Sequence, residues 1–531
     1  YLARLQLNSG GIIGASVPGT PVILSGRNEK LAWGITASYL DDQDIFIEEL
    51  NSSNPNLYRT AEGWKNLKID KQFIKIKNAP DIEIKREWTL NGPVLPETAF
   101  GLSSITPKNH VATLSWTALT EKDTTISAAI NLMLSQNVQK GLESLEDFHA
   151  PSLNFLLVDS EKMVLKTVGK MPRRSPLNQT QGRMPSIGWK PENKWRGYWG
   201  YEVNPIIESS PGDILGNTNN KISKAKFPKH VSHVWGDTQR ILRWQKLMQN
   251  REVHTRESFI EVQLDTVSPT ARALLPLIGS ELWYSQPRGE ADSKERLRFE
   301  AVSMLASWNG EMSEHLPEPL IYSTWMKFLQ TMLINDDLGA ISTRFSHFNP
   351  IFVEKVFRNI EGASKWCDIK HSSYKETCTE IASKSLDEAL SWLQDKYGKN
   401  LNSLRWGDAH EAFHRHETLG NIPFLKYLLN IRQSTSGGDN TIMRGKTSRK
   451  EKNPFLNIHA AIYRGVYDFA DPDSSVFIIS TGQSGHFLSR HYDDLGILWR
   501  RGEYVPMSLD PNLARGASLG RTTITPTKIN Y

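Results

Sequence analysis

The sequence predicts an α+β protein, and three observations along the chain support this class. Over residues 1 to about 174, apolar and polar side chains alternate with the period of two that is typical of half-exposed strands, as at 71–77 and 82–85. Over about 240 to 399, apolar residues recur at the i, i+3 and i+4 spacing of helices. The tail returns to a strand pattern at 475–480.

These changes of period divide the chain into three parts. We expect residues 1–240 to form the first part of the core, 241–400 a mostly helical insertion, and 401–531 the return to the core sheet and a C-terminal tail. Residues 175–215 are rich in Pro, Gly, Trp and Asn. Long loops of this kind often cover a functional site.

Composition excludes several classes of protein. The 531 residues are 39% hydrophobic and 23% charged, as in an ordinary soluble globular protein. A formal net charge of +5 on so long a chain is too weak to indicate a nucleic-acid partner. The basic pair Arg173-Arg174 is expected in a solvated loop. The longest apolar runs fall far short of the roughly 20 residues that a bilayer span requires, so no membrane span is expected.

The stretch from 14 to 50 concentrates strands, turns and acids in a short run. Residues 22–24 and 31–33 are predicted as two buried strands, with the chain reversing at 26–29. Three carboxylates follow within 41–44. Small residues beside clustered acids fit a functional site, and they fit equally a surface hairpin with a solvated acidic turn.

The chain has two cysteines, Cys367 and Cys378. Their spacing fits neither CxxC redox chemistry nor a four-ligand zinc site. A local disulfide is favoured over two free thiols, and it would indicate an oxidising compartment.

Several segments together resemble the β chain of the penicillin acylase family, whose members are N-terminal-nucleophile amidohydrolases. They are PGTPVILSGRNEKLAWGIT with DDQDIFIEEL near the start, the Asn-rich turn 216–220 with Phe227-Pro228, and GQSG, HYDD and LW near the end. The resemblance implies the N-terminal-nucleophile hydrolase αββα sandwich of antiparallel sheets, with a large helical insertion. The related acylases are exported, so a periplasmic or secreted location is expected.

The resemblance also implies the electrophilic side of an amide-hydrolysing site. Ala37 matches the residue whose backbone N–H donates to the oxyanion, and Asn219 matches the Asn whose side-chain amide is the second donor. Arg240 matches an Arg that orients the site and its N-terminal amine. A helix-start Arg paired with Asp237 or Glu202 explains Arg240 equally well on sequence alone.

The nucleophile is expected outside this chain. In the family it is a Ser, or another hydroxyl or thiol residue, that autoproteolysis exposes and that its own α-amine activates. The chain starts with Tyr1, which the resemblance places roughly thirty residues past that position. A smaller α chain from the same precursor is the expected partner, and this chain alone should be inactive. His410 and Ser484 are expected to be structural.

Two further sets of residues acquire roles from the resemblance. Leu24, Ser25 and Ile35 are expected at the acyl pocket, where Ser25 replaces an aromatic residue of phenylacetyl-specific relatives and so favours a longer acyl chain. Asp41, Gln43 and Asp44 match structural calcium ligands, since calcium prefers oxygen donors. The family places another carboxylate after the Phe-Pro pair, where this sequence has KHVSH. No organic cofactor is expected.

These expectations predict the large chain of an amidohydrolase acting on an acyl amide such as an N-acyl homoserine lactone. One alternative is a penicillin or cephalosporin acylase that acts on β-lactam side chains. Another, of a different class, is a ligand-binding homologue without catalysis. The presence of Ala37, Asn219 and Arg240 argues against the latter.

Overall fold

The computed structural model of the chain describes residues 1–525 apart from 211, 237, 250, 284–289, 291, 292, 449 and 451. By their contacts they group into two units. The first comprises residues 1–236, 469–473 and 507 onward, and the second comprises 237–468 and 474–506. The boundary at 236 lies near the predicted boundary at 240, whereas residues 401–531 are shared between both units. The three-part division stays a prediction about the chain's organisation.

Strands dominate the first unit. In chain order they are β1 (Leu2–Leu7), β2 (Gly10–Ala15), β3 (Ser25–Arg27), β4 (Ala32–Ala37), β5 (Gln43–Glu49), β6 (Leu57–Thr60), β7 (Gly63–Asn66), β8 (Lys68–Ile74), β9 (Ile82–Thr89), β10 (Gly92–Pro93), β11 (His110–Trp116), β12 (Leu153–Val158), β13 (Met163–Val168), β14 (Ser186–Ile187) and β15 (Ile206–Ser209). The strands predicted at 71–77 and 82–85 correspond to β8 and β9, which pair antiparallel. They are not half-exposed as predicted, because residues 71–74 and 82–86 are all exposed.

The largest sheet described in this unit is antiparallel and has the order β1-β2-β3-β4-β12-β13-β15. Smaller sheets have the orders β10-β9-β8, β11-β5-β14 and β6-β7. Helices α1 (Thr125–Leu134) and α2 (Val138–Ser144) cover the large sheet and bury Leu132 and Val138 with Trp33, Phe155 and Leu157. One face of the sheet is buried, and a one-residue slip would turn the apolar side chains of a strand to the opposite face. Burial therefore fixes the register of the strands.

The hairpin at the start of the chain is displaced from its predicted position. Residues 22–24 are not a strand; β3 begins at Ser25 and pairs with β4, with Gly26 opposite Trp33. The side-chain oxygen of Asn28 accepts hydrogen bonds from the backbone N–H groups of Lys30 and Leu31, both at 2.8 Å. This Asn side chain fixes the reversal at 28–31 rather than at 26–29, because Asn readily bonds backbone two or three residues on.

The second unit is mainly helical. Its helices are α3 (Gln239–Gln249), α4 (Arg256–Gln263), α5 (Pro269–Trp283), α6 (Lys294–Ser307), α7 (Glu318–Leu338), α8 (Pro350–Phe357), α9 (Cys378–Tyr397), α10 (Trp406–Ala409), α11 (Leu425–Leu429) and α12 (Gly496–Arg501). Its strands are β16 (Glu411–His414), β17 (Ile431–Ser434), β18 (Gly445–Thr447), β19 (Asn457–Ala460), β20 (Tyr463–Val466), β21 (Val476–Ile479) and β22 (Val505–Pro506). They form sheets in the orders β17-β16-β19-β18 and β20-β21-β22. The last helix, α13 (Pro511–Gly516), belongs to the first unit again.

Long amphipathic helices build the core of the second unit. Helix α7 packs on α9 through a cluster that includes Trp325, Leu329 and Leu386, each at most 1% exposed. Helix α9 starts at a capping box, in which the Thr377 hydroxyl accepts from the Glu380 backbone and the Glu380 carboxylate accepts from the Thr377 backbone. A disulfide joins Cys367 to Cys378, the first residue of α9, with their Cα atoms 5.0 Å apart.

These elements confirm the predicted α+β class, with mainly antiparallel sheets and a large helical segment. Within the residues described, no helix is both long and apolar enough to cross a membrane.

Candidate active site

Two of the predicted site residues meet at the end of strand β4. Ala37 is the last residue of β4, and it lies opposite Leu153 of β12. The Asn-rich turn is tied to this strand end because the side-chain oxygen of Asn217 accepts from the Thr36 hydroxyl at 2.8 Å and from the backbone N–H of Asn219 at 2.9 Å. The strand and the turn are thus held together by side-chain hydrogen bonds.

Asn219 reaches the same strand end through its own side chain. Its Nδ2 donates to the backbone oxygen of Ala37 at 3.0 Å. The residue has a left-handed backbone with φ 65°, a conformation that Asn tolerates better than most residues. Its backbone oxygen accepts from the N–H of Gly236 at 3.0 Å, and a Cβ added at position 236 would lie 2.7 Å from that oxygen. The glycine therefore allows the close approach that holds Asn219.

This arrangement has the chemistry of an oxyanion site. The carboxamide of Asn219 carries N–H donors next to the peptide group of Ala37, and Ala37 is exposed at the strand end. Fixed donors beside an accessible surface can stabilise the negative charge that develops on a carbonyl oxygen. The catalytic roles of both residues stay predictions.

Arg240 lies in the second unit, where it is near the start of α3 and is 7% exposed. Its predicted role in orienting the site stays a prediction. Asp237, one of the two alternative partners named for it, lies outside the described residues.

The three predicted pocket residues share one neighbourhood in the first unit. Leu24 and Ile35 are partly buried and pack against the core between the large sheet and its helices. The Ser25 hydroxyl donates to the backbone oxygen of Trp33 at 3.2 Å. Ser25 is the first residue of β3, and the next residue, Gly26, pairs with Trp33 of β4, so the Ser25 side chain lies beside β4. Their assignment to an acyl pocket stays a prediction.

The acidic segment after β4 is engaged by cationic side chains of the protein itself. Arg174 donates through Nε to an oxygen of Asp44 at 2.8 Å and through Nη2 to the backbone oxygen of Asp41 at 3.0 Å. The backbone oxygen of Gln43 lies 3.4 Å from the same Nη2. On its other side, a carboxylate oxygen of Asp41 lies 2.6 Å from Nε2 of His230.

Calcium would require six to eight oxygen ligands converging on one point. Here the oxygens of Asp41, Gln43 and Asp44 converge instead on the guanidinium of Arg174. His230 stands in the segment where a further carboxylate was expected, and it offers nitrogen rather than oxygen. With Arg174 hydrogen-bonded to these oxygens, the site as it stands does not fit calcium.

A side-chain cluster that could bind a metal ion lies at the same place. Asp41, His230 and His233 have potential ligand atoms within 4.8 Å of one another. The 2.6 Å separation between Asp41 and His230 is that of a hydrogen bond, and the rings of His230 and His233 have their centroids 4.2 Å apart. The three side chains are therefore held together by a hydrogen bond and by ring packing.

Sequence reasoning missed Arg174 and Glu48. Arg174 was expected in a solvated loop, yet it is 2% exposed, because its guanidinium pairs with Asp44; Arg173 beside it is exposed. Glu48 is 0% exposed, and burial raises the pKa of its carboxyl. The alternation of β5 contained the signal, since Asp44, Phe46 and Glu48 fall on one buried face.

His410 has a structural environment in the second unit. It is fully buried, stacks on Trp406 with ring centroids 4.5 Å apart, and its Nδ1 lies 2.7 Å from the backbone oxygen of Phe455. Burial lowers the pKa of His410 to about 4. A group so enclosed has no access to a substrate, in line with the expectation that His410 is structural.

Comparison with solved structures defines the class of fold. The chain superposes on the thermostable penicillin G acylase from Alcaligenes faecalis with a TM-score of 0.72 and 17% identity, covering 99% of this chain and 94% of that one. The fold is therefore that of an N-terminal-nucleophile hydrolase, as predicted.

Sequence comparison identifies the family. Residues 1–515 match the family model for penicillin amidase, so the chain belongs to the penicillin amidase family.

Named relatives include two kinds of acylase. The acyl-homoserine lactone acylase QuiP of Pseudomonas aeruginosa is 24% identical over 97% of this chain, and the penicillin acylase 2 proenzyme of Pseudomonas sp. (strain SE83) is 23% identical over 93%. The matches cover 64% and 61% of those relatives, so the chain spans less than two thirds of their length.

Proposed function

We propose that this chain is the large chain of an amidohydrolase that cleaves an acyl amide, such as the amide of an N-acyl homoserine lactone. The observation that carries the proposal is the hydrogen bond from Asn219 Nδ2 to the backbone oxygen of Ala37, at 3.0 Å. It fixes a side-chain donor beside a backbone peptide group at an exposed strand end. Amide hydrolysis needs such donors for its tetrahedral oxyanion.

The proposed reaction needs groups beyond residues 1–531. A Ser, Cys or Thr at a new N-terminus, exposed by autoproteolysis, attacks the substrate carbonyl, and its α-amine takes the proton and passes it to the amine that leaves when the C–N bond breaks. Water then hydrolyses the acyl-enzyme and releases the acid. The α-amino group has an ordinary pKa near 8, which suits a base close to neutral pH. Ala37 and Asn219 stabilise the oxyanion. An α chain from the same precursor completes the acyl pocket.

The substrate class rests on two observations. The acyl-homoserine lactone acylase of P. aeruginosa matches nearly the whole of this chain. Ser25, the first residue of β3, carries a small side chain, which leaves room for an extended acyl group. The location proposed is the periplasm or the extracellular medium, since the Cys367–Cys378 disulfide favours an oxidising compartment.

A penicillin or cephalosporin acylase is the second candidate. It is favoured by the match to the penicillin acylase 2 proenzyme over 93% of this chain. The two candidates share the oxyanion chemistry and differ in the acyl group and in the amine that leaves.

The test is to express the protein at the full length that its gene encodes and to follow processing and hydrolysis together. The proposal expects self-cleavage into two chains and release of fatty acid and homoserine lactone from a long-chain acyl homoserine lactone. Higher kcat/KM on penicillin G than on the lactone would establish the second candidate instead. An uncleaved precursor that binds the lactone without hydrolysing it would overturn both and indicate a ligand-binding homologue.

A further inference from the structure

One buried guanidinium sits at the centre of the acidic segment that follows β4. The side chain of Arg174 is 1% exposed and that of Asp44 is 4% exposed. Their Nε and Oδ2 atoms lie 2.8 Å apart, and Nη2 of the same arginine lies 3.4 Å from Oδ1 of Asp41. Arginine keeps its charge under all ordinary conditions, so this site contains a permanent cation.

The surroundings of this ion pair leave it little freedom to move. The indole N–H of Trp195 donates to the same Asp44 oxygen, and the guanidinium lies 5.8 Å from the centroid of the Trp195 ring. On another side, a Cβ added at Gly182 would lie 2.8 Å from Oδ1 of Asp44 and 2.9 Å from Nε of Arg174. The φ of Gly182 is +76°, so both its backbone and its small size suit this position.

The oxygens around Arg174 are of the type that a hard divalent cation binds. They are the carboxylates of Asp41 and Asp44 and the backbone oxygens of Asp41 and Gln43. A guanidinium satisfies the same oxygens by donating hydrogen bonds, and it brings one positive charge on a covalently attached group. Unlike a bound calcium ion, the guanidinium of Arg174 cannot dissociate when the free calcium concentration falls.

We propose that Arg174 is the built-in substitute for a metal ion at this segment, so that the first unit needs no calcium to hold β4, β5 and the acidic residues between them. The arginine comes from the loop after β13, and its contacts join that loop to residues 41–44. The segment starts four residues after Ala37, so the same contacts anchor the chain that leaves the strand end described above.

The wild-type protein at its full length provides the first test. Its melting temperature is measured after treatment with excess EDTA and after addition of millimolar calcium, and its metal content is measured by elemental mass spectrometry. The proposal expects no shift of melting temperature in either condition and no stoichiometric calcium. A fall of melting temperature with EDTA that calcium reverses, or one bound calcium per chain, would overturn it.

The second test removes the cation and asks whether calcium takes its place. In Arg174→Ala the buried Asp44 carboxylate loses its partner, and the melting temperature should fall by on the order of 10 °C. Calcium should then raise the melting temperature of this variant and bind to it in calorimetric titration. Magnesium should act more weakly, because it demands smaller, near-octahedral geometry. A variant whose stability ignores calcium would contradict the assignment of these oxygens as a cation site.

Two matched variants control for general effects. Arg173→Ala removes the adjacent arginine, which is exposed and donates to the backbone oxygen of Arg196. It should show no response to calcium and little loss of stability. Arg174→Lys keeps one positive charge without the forked donors, so it should be less stable than the wild type and remain insensitive to calcium. A calcium response in Arg173→Ala equal to that of Arg174→Ala would overturn the proposal.

Discussion

Replacing Asn219 should cost the enzyme much of its turnover and little of its fold. Loss of one preorganised oxyanion donor typically lowers kcat by about 10²–10³, which corresponds to about 3–4 kcal/mol of barrier. The hydrogen bond to the Ala37 oxygen links partly exposed groups, so its loss should cost only about 1 kcal/mol of unfolding free energy. The KM should change little, because the donor acts chiefly in the transition state.

Two substitutions separate catalysis from backbone strain. Asn219 has φ 65°, so Asn219→Ala adds about 1–2 kcal/mol of left-handed strain, whereas Asn219→Gly adds none. Both variants lack the donor and should lose kcat equally, while only Asn219→Ala should melt noticeably earlier.

The assay is release of homoserine lactone from an acyl homoserine lactone by the processed full-length enzyme, with melting temperature measured in parallel. Asn220→Ala is the matched control. Its side-chain oxygen accepts from the backbone of Thr218 at 3.1 Å within the same turn, and no described contact joins its side chain to Ala37. The reasoning is refuted if Asn219→Gly keeps kcat within about tenfold of the wild type, or if Asn220→Ala loses as much.

Three further outcomes follow from buried groups and from the hairpin. Burial raises the pKa of Glu48, so wild-type stability should fall as pH rises from about 4.3 through the folded pKa. In urea unfolding, the stability of Glu48→Gln should not show this decrease with pH. If the stabilities of the variant and the wild type change with pH in the same way, the prediction is contradicted. Burial lowers the pKa of His410 from 6.5 to about 4, so up to about 3 kcal/mol of stability should be lost as pH falls between those values. His410→Gln should remove that loss, and an unchanged acid dependence would show that His410 is not its source. Ser25→Phe should lower kcat/KM for long acyl chains by at least about tenfold relative to phenylacetyl substrates; equal losses on both would exclude Ser25 from the acyl pocket.

The sequence alone could predict those elements that follow from the local spacing of apolar residues or from short motifs. Alternation at 71–77 and 82–85 predicted β8 and β9 because the period of a strand is a local property of the sequence, although both strands are exposed on both faces over most of their length. Helical spacing predicted the second unit's helices for the same reason. The hairpin shows the limit, because residues 22–24 are apolar and their burial does not require a strand. The turn is fixed by the Asn28 side chain, and a turn rule based on Gly26 misplaced it.

Contacts between distant parts of the chain could not be predicted from period. Arg174 and Asp44 are 130 positions apart, and Asn219 and Ala37 are 182 apart. The local composition around Arg173 and Arg174 does not show whether their side chains are solvated or buried. Only the fold brings Arg174 to a carboxylate that is itself on the buried face of β5. The resemblance named Ala37 and Asn219 but gave no sign of the cation beside them.

The central claim is that Ala37 and Asn219 serve a nucleophile that lies outside residues 1–531. It is tested most directly by trapping the acyl or sulfonyl adduct of the processed full-length enzyme and mapping it by mass spectrometry. The account predicts an adduct on a newly exposed N-terminal Ser, Cys or Thr that precedes Tyr1 in the same precursor. An adduct on a side chain within residues 1–531, such as Ser484, with catalysis intact, would contradict it.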